Sequence, residues 1–158
     1  MSVLGIACDN DKISYVVVNG SLNSPKILEN ETYRLPKTEK GKLLDSANSR
    51  IEALLNSHKI NVAVLLVIDK TYGKGHNTST HPVKHQIEGC IMYRFFKEGT
   101  PFIEYNRTSK SLNDLKKNLN KNIDCKLEKL IDEEFSDIFP RNHNKDQREA
   151  FAVALTQL

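Results

Sequence analysis

The chain has 158 residues, 39% hydrophobic and 27% charged, with few Gly or Pro, which implies one globular domain over residues 1–158 with a real core and excludes a disordered or fibrous chain. Its longest apolar run, Val62–Ile68, is about a third of the roughly 20 residues that span a bilayer, and the opening MSVLGIACDN shows neither the basic start nor the cleavage pattern of a leader, so no membrane and a cytoplasmic location are expected. A net charge of +3 permits a nucleic-acid partner without demanding one, and three cysteines with no CxxC spacing exclude a disulfide framework and a zinc knuckle.

Val3–Cys8 and Ile13–Val18 are β-prone runs around the polar turn Asp9-Asn10-Asp11-Lys12, the pattern of a hairpin. The first run is almost entirely apolar or small, which suits a central strand buried on both faces. Lys26–Leu35 supplies a third, antiparallel strand that Pro36 ends. From Lys42 to Ser57, Leu43, Leu44, Ala47, Ile51, Leu54 and Leu55 recur at helical spacing, so this helix crosses over the sheet. Val62–Ile68 (VAVLLVI) is a buried strand parallel to a neighbour, and its C-terminal tip at Asp69 is a natural edge for a site.

The Gly/Ser/Thr/Asn-rich segment Lys70–His81 reads as a long loop. Pro82 then opens a helix whose face is Val83, Ile87, Cys90, Ile91 and Phe95, with Gly89 permitting close approach of another backbone. Gly99-Thr100-Pro101 ends that helix, and Phe102–Tyr105 is a short fifth strand. Thr108 or Ser109 caps a helix running to Leu119, Lys126–Phe135 forms another, and Lys145–Leu158 forms the last.

Charge is unevenly placed: Arg107–Lys129 holds seven basic and three acidic residues, a local patch rather than a whole-surface property. His76, His81 and His85 fall within ten residues, but Pro82 puts His81 outside the helix, and solvated loop histidines are the simpler reading. Gly73-Lys74-Gly75 lacks the full phosphate-loop pattern and reads as a flexible element.

Three strands, helix, strand, helix, strand, helices is the order of the RNase H-like fold, and local patterns over nearly the whole chain resemble its RuvC branch, the Holliday-junction resolvases. They are Leu4-Gly5-Ile6 before a hairpin, Leu66-Val67-Ile68-Asp69 closing an apolar strand, His85-Gln86-Ile87-Glu88-Gly89 in the next helix, Glu104-Tyr105 ahead of Lys110, and Asp146-Gln147-Arg148-Glu149-Ala150 leading into an apolar run. The resemblance implies an α/β, five-stranded mixed sheet with its first three strands antiparallel, flanked by helices. It also implies a Mg2+- or Mn2+-dependent endonuclease whose catalytic carboxylates are Asp69, Asp146 and Glu149, in which two ions position a water and stabilise the leaving oxygen of a phosphodiester.

Asp146 and Glu149, three apart on one helix, share a face. The departure is Ala7, where the family has its first aspartate. Asp9 lies on the same strand face about 6.6 Å farther along, at roughly 3.3 Å per residue, and joins Asp69, Asp146 and Glu149 as a candidate metal ligand; Asp11 on the turn is another. Lys70, Lys74, Lys110, Lys116 and Lys117 are candidate contacts to the phosphates of DNA or RNA. Two readings stay open: a nucleic-acid-binding protein of nuclease ancestry, with or without surviving cleavage, and a catalytically silent interaction module that dimerises through the helix Pro82–Phe96.

Overall fold

A computed structural model describes residues 1–67, 82–106, 109–119, 124–139 and 142–158. The strands are β1 (Ser2–Cys8), β2 (Lys12–Ser21), β3 (Ser24–Arg34), β4 (Val62–Leu66) and β5 (Phe102–Tyr105); the helices are α1 (Lys40–Ser57), α2 (Pro82–Lys97), α3 (Lys110–Asn118), α4 (Leu127–Glu134) and α5 (Lys145–Leu155). They form one sheet in the order β3-β2-β1-β4-β5. The β1–β2 and β2–β3 pairs are antiparallel, whereas β1–β4 and β4–β5 are parallel. This is the α/β architecture expected from the sequence, with β1 at the centre.

The alternation of side chains along β1 divides the core in two. Leu4, Ile6 and Cys8 join Ile13, Tyr15 and Val17 of β2 under α1 and α2. Val3 and Ala7 join Val16, Val18, Val64 and Leu66 under α3, α4 and α5. In that second layer Phe151 stacks on Phe139 at 4.9 Å and meets Phe135 edge-on at 5.6 Å. Both faces of β1 and β4 are therefore covered, which is why their sequences are apolar runs rather than alternating ones.

The placement of α5 depends on one glycine. A Cβ on Gly5 would stand 1.9 Å from the carbonyl oxygen of Ala150 and 2.9 Å from Ala154 Cβ. The helix backbone thus lies directly on the central strand, which only Gly at this position and small residues on the facing helix stripe permit. Its start is fixed by a capping box: Asn144 Oδ1 accepts from Gln147 N at 2.9 Å, and Gln147 Oε1 accepts from Asn144 N at 3.1 Å. Asn144 Nδ2 also donates to Thr32 Oγ1 at 2.7 Å, and that hydroxyl meets the buried Ser14 Oγ at 2.8 Å. A polar chain from β2 through β3 therefore sets where α5 begins.

Away from the sheet's end, the α1 face carries a charged cluster. The Tyr15 hydroxyl lies 2.7 Å from both Glu29 Oε1 and Glu31 Oε2 and accepts from Arg50, while His58 Nε2 is 2.7 Å from Glu29 Oε2. Burial, followed by the two carboxylates, pushes the Tyr15 hydroxyl's pKa well up, so it stays a neutral donor.

Two sequence expectations fare differently in three dimensions. Ser109 does take the N-cap position of α3, but its hydroxyl binds Asn106 rather than the helix amides. Gly89 faces open space: a methyl added there would meet no described atom within 4 Å. Helix α2 packs through the opposite stripe of Ile87, Ile91 and Phe95, so no described residue of this chain uses the gap.

Candidate nucleic-acid interface

The parallel register pairs Ala7 with Leu66, so β1 and β4 end side by side. A cavity of about 380 Å³ opens at that edge. Ala7, Cys8, Leu66 and Val67 form its floor, and the start of α5 forms one wall. Asp9, Asp146 and Glu149 all line it. Candidates from the first hairpin and the last helix thus line one cavity, because Gly5 seats α5 on β1 and the capping box sets its first turn over the strand tip. Asp11 is exposed on the hairpin turn. Asp69, Lys70 and Lys74 lie outside the described residues, as do His76 and His81.

Glu149 is 2% exposed and Asp146 half-buried. Lys12 Nζ donates to Asp146 Oδ2 at 2.6 Å, Lys145 Nζ lies 3.8 Å from Glu149 Oε1, and Lys84 Nζ lies 4.0 Å from Glu88 Oε1. Lys12, Lys84 and Lys145 line the same cavity as the carboxylates. The bond to Asp146 raises the Lys12 pKa against the opposing effect of its partial burial. Burial, with Glu88 as the leading negative neighbour, pushes the Cys8 thiol's pKa far up, so this cysteine is an inert part of the floor. His85 pairs through Nδ1 with Glu88 Oε2 at 3.2 Å.

Sequence reasoning missed Lys12, Lys84, Lys145 and the 3%-exposed Glu88. The i,i+4 spacing of Lys84 with Glu88 and of Lys145 with Glu149 was visible. The Lys12–Asp146 pair joins opposite ends of the chain and had no local signal. Among the described residues, no three His, Cys, Asp or Glu side chains are grouped closely enough to hold an ion.

The lysines of α3 separate by face. Lys110 and Lys117 are exposed, but Lys116 is 6% exposed, because it sits on the stripe with Leu112, Leu115 and Leu119 that packs inward. β5 runs parallel to β4, so its C-terminal end at Tyr105 is at the same end of the sheet as the cavity, and Lys110 opens the helix that follows in sequence. Lys117 lies about 10 Å along the helix axis from Lys110, at 1.5 Å per residue.

No family model and no curated protein matches the chain. Solved structures do. Thermus thermophilus RuvC superposes with a TM-score of 0.76 at 17% identity, over 99% of this chain and 92% of that one. The same organism's RuvC in complex with a Holliday junction substrate gives 0.71 at 14% identity, over 99% and 91%. The yeast mitochondrial Holliday junction resolvase gives 0.66 at 14%, over 98% and 76%. The chain therefore has the RNase H-like fold in its RuvC-type form, as the ordered motifs of the sequence imply.

Proposed function

We propose that this chain binds DNA or RNA, with branched DNA as its first expected ligand, at the sheet edge where β1, β4 and the start of α5 meet. The observation that carries the reading is the full-length likeness to a RuvC that holds a Holliday junction, together with the gathering of Asp9, Asp146 and Glu149 at one cavity. Lys110 and Lys117 extend the basic surface from that edge and would contact phosphates without reading sequence. A cytoplasmic address goes with this reading; among the described residues no helix is long and apolar enough to cross a membrane.

The Mg2+ or Mn2+ that the resemblance implies would supply charge neutralisation at the scissile phosphate and an activated water. The residues described do not fit a two-ion centre. Ala7 offers a methyl where the resemblance implies a carboxylate that would hold metal, and Asp146 accepts from Lys12 through Oδ2 at 2.6 Å. Asp9 uses Oδ1 to accept from the amide of Asn10 at 2.8 Å. On this reading the described side chains bind and orient a nucleic-acid backbone.

The test is a gel-shift series with a labelled four-way junction, a duplex and a hairpin RNA at low and moderate salt. Binding is expected at low salt, with log K falling against log salt by about 0.9 per phosphate contact. Absence of any shift at low salt refutes the reading.

One observation favours the second reading, a dimerisation module. On α2, Tyr93 is 63% and Phe96 77% exposed, on the same side as the open Gly89. A second copy crossing at Gly89 would cover both rings. Light scattering decides it: a dimer that Phe96→Lys converts to monomer supports this reading, and a wild-type monomer at high concentration refutes it.

A further inference from the structure

Of the carboxylates lining the cavity, Asp146 and Glu149 each pair with a lysine, and the lysines lining it come from three elements. Lys12 begins β2, Lys84 lies in the first turn of α2, and Lys145 begins α5. Among the described residues the cavity lining carries three lysines and three carboxylates, Asp9, Asp146 and Glu149. Oxygen ligands, carboxylates foremost, hold a divalent ion, and here Asp146 and Glu149 each pair with an ammonium. The i,i+4 pairs Lys84–Glu88 and Lys145–Glu149 are long, at 4.0 and 3.8 Å, although both carboxylates are buried. The Lys12–Asp146 contact differs in length and reach: it is short, and it brings the first hairpin to the last helix. A charge-assisted bond of that length is among the stronger polar contacts a protein makes.

Carboxylates at this edge would repel the phosphates of an incoming backbone unless some cation sat between them. Resting on the nucleic-acid reading above, we propose that Lys12 is the site's resident cation. With Lys84 and Lys145, it neutralises the carboxylates that line the cavity so that a backbone phosphate of nucleic acid seats there without a divalent ion. An ammonium has three donors; one of Lys12's is given to Asp146 at 2.6 Å, which leaves the others to reach a phosphate oxygen. The cavity, about 380 Å³, has room for that group and several waters, at about 30 Å³ of liquid volume each.

Two measurements on the full chain test this. The first is uptake of Mn2+ by the protein alone, read as loss of the free-ion signal in electron paramagnetic resonance. The wild type is expected to take up none at about 1 mM, a weak-site concentration for a hard cation. Lys12→Met, which keeps the aliphatic stem, is expected to gain affinity by about tenfold or more, and Lys12→Arg to behave as the wild type. Adding Asp146→Asn to Lys12→Met is expected to abolish the gain.

The second measurement is anisotropy of a labelled four-way junction in EDTA and in Mn2+. Wild-type affinity is expected to be equal in both to within about twofold, while Lys12→Met loses about tenfold in EDTA and recovers it in Mn2+. Mn2+ uptake by the wild type overturns the proposal without any variant. So does a Lys12→Met loss of the same size with and without Mn2+, given that its circular dichroism melt shows it folded. If no nucleic acid is bound under any condition, the function proposed above fails, and the Mn2+ difference between wild type and Lys12→Met still decides the cation claim.

Discussion

Substituting Gly5 by Ala probes the contact that builds the site. The added methyl would lie 1.9 Å from the carbonyl oxygen of Ala150, a backbone atom with no rotamer to escape into. Reaching even tight van der Waals contact requires β1 and α5 to part by roughly 1 Å, and in a close-packed interior that gap opens along the whole helix. The residues affected are those of the α5 layer, where Ala150 to Leu155 are all essentially buried. Overpacking of this kind costs about 1–3 kcal/mol, and a backbone obstacle places Gly5→Ala at or above the upper end. The intrinsic gain from replacing Gly in a strand, about 0.5–1 kcal/mol, opposes it and is smaller. For a domain of this size about 3 kcal/mol lowers Tm by roughly 6–12 °C. Thermal and urea unfolding followed by circular dichroism measure it. Ala154→Gly in the same background should recover only part of the loss, because it relieves the 2.9 Å contact and not the 1.9 Å one. A Gly5→Ala variant within about 0.5 kcal/mol of wild type, the usual range of a neutral surface change, would refute the claim that α5 rests on β1 at this point.

The remaining predictions concern the supports of the site and the sheet. Asn144→Ala removes the capping box and the bond to Thr32 and should cost about 1 kcal/mol, or about 2–4 °C in Tm, with an unchanged melt counting against the cap. The His58 bond, then the Tyr15 bond, hold Glu29 below its ordinary 4.5. Its stabilisation is therefore present above pH of about 4.5 and is lost as pH falls through the lower folded value. Glu29→Gln should flatten the acid decline of the urea midpoint, and an identical decline in both proteins would contradict the assignment. Lys110→Glu should weaken junction binding and lessen its salt slope by about one contact, whereas Lys116→Met should leave the slope unchanged because that lysine is 6% exposed.

How much of this was legible beforehand follows from which signals are local. The alternation of Val3 to Ala7, the apolar run of β4 and the three-residue spacing of Asp146 and Glu149 are short-range patterns, and the sheet order and the meeting of α5 with the strand tip follow from them once the fold is granted. Gly5 appeared in a motif, but that its missing Cβ is what seats α5 became visible only with Ala150 in place. The charge of Lys116 suggests a phosphate contact, whereas its spacing from Leu112 and Leu119 puts it on the buried stripe. Lys12 reads in sequence as an ordinary turn residue; its partner Asp146 is supplied by the last helix, and no window on the chain contains both. Asp69, which the sequence pattern puts at a strand tip, falls outside the described residues.

The most direct test of the account is the affinity of the wild-type chain for a labelled four-way junction, measured in EDTA at low salt and again at rising salt. The account predicts a dissociation constant in the micromolar range or tighter, on the order of nonspecific or better binding, that weakens steeply as salt is added. Failure to bind at about 100 μM protein in low salt, at the weak limit of nonspecific association, would contradict it.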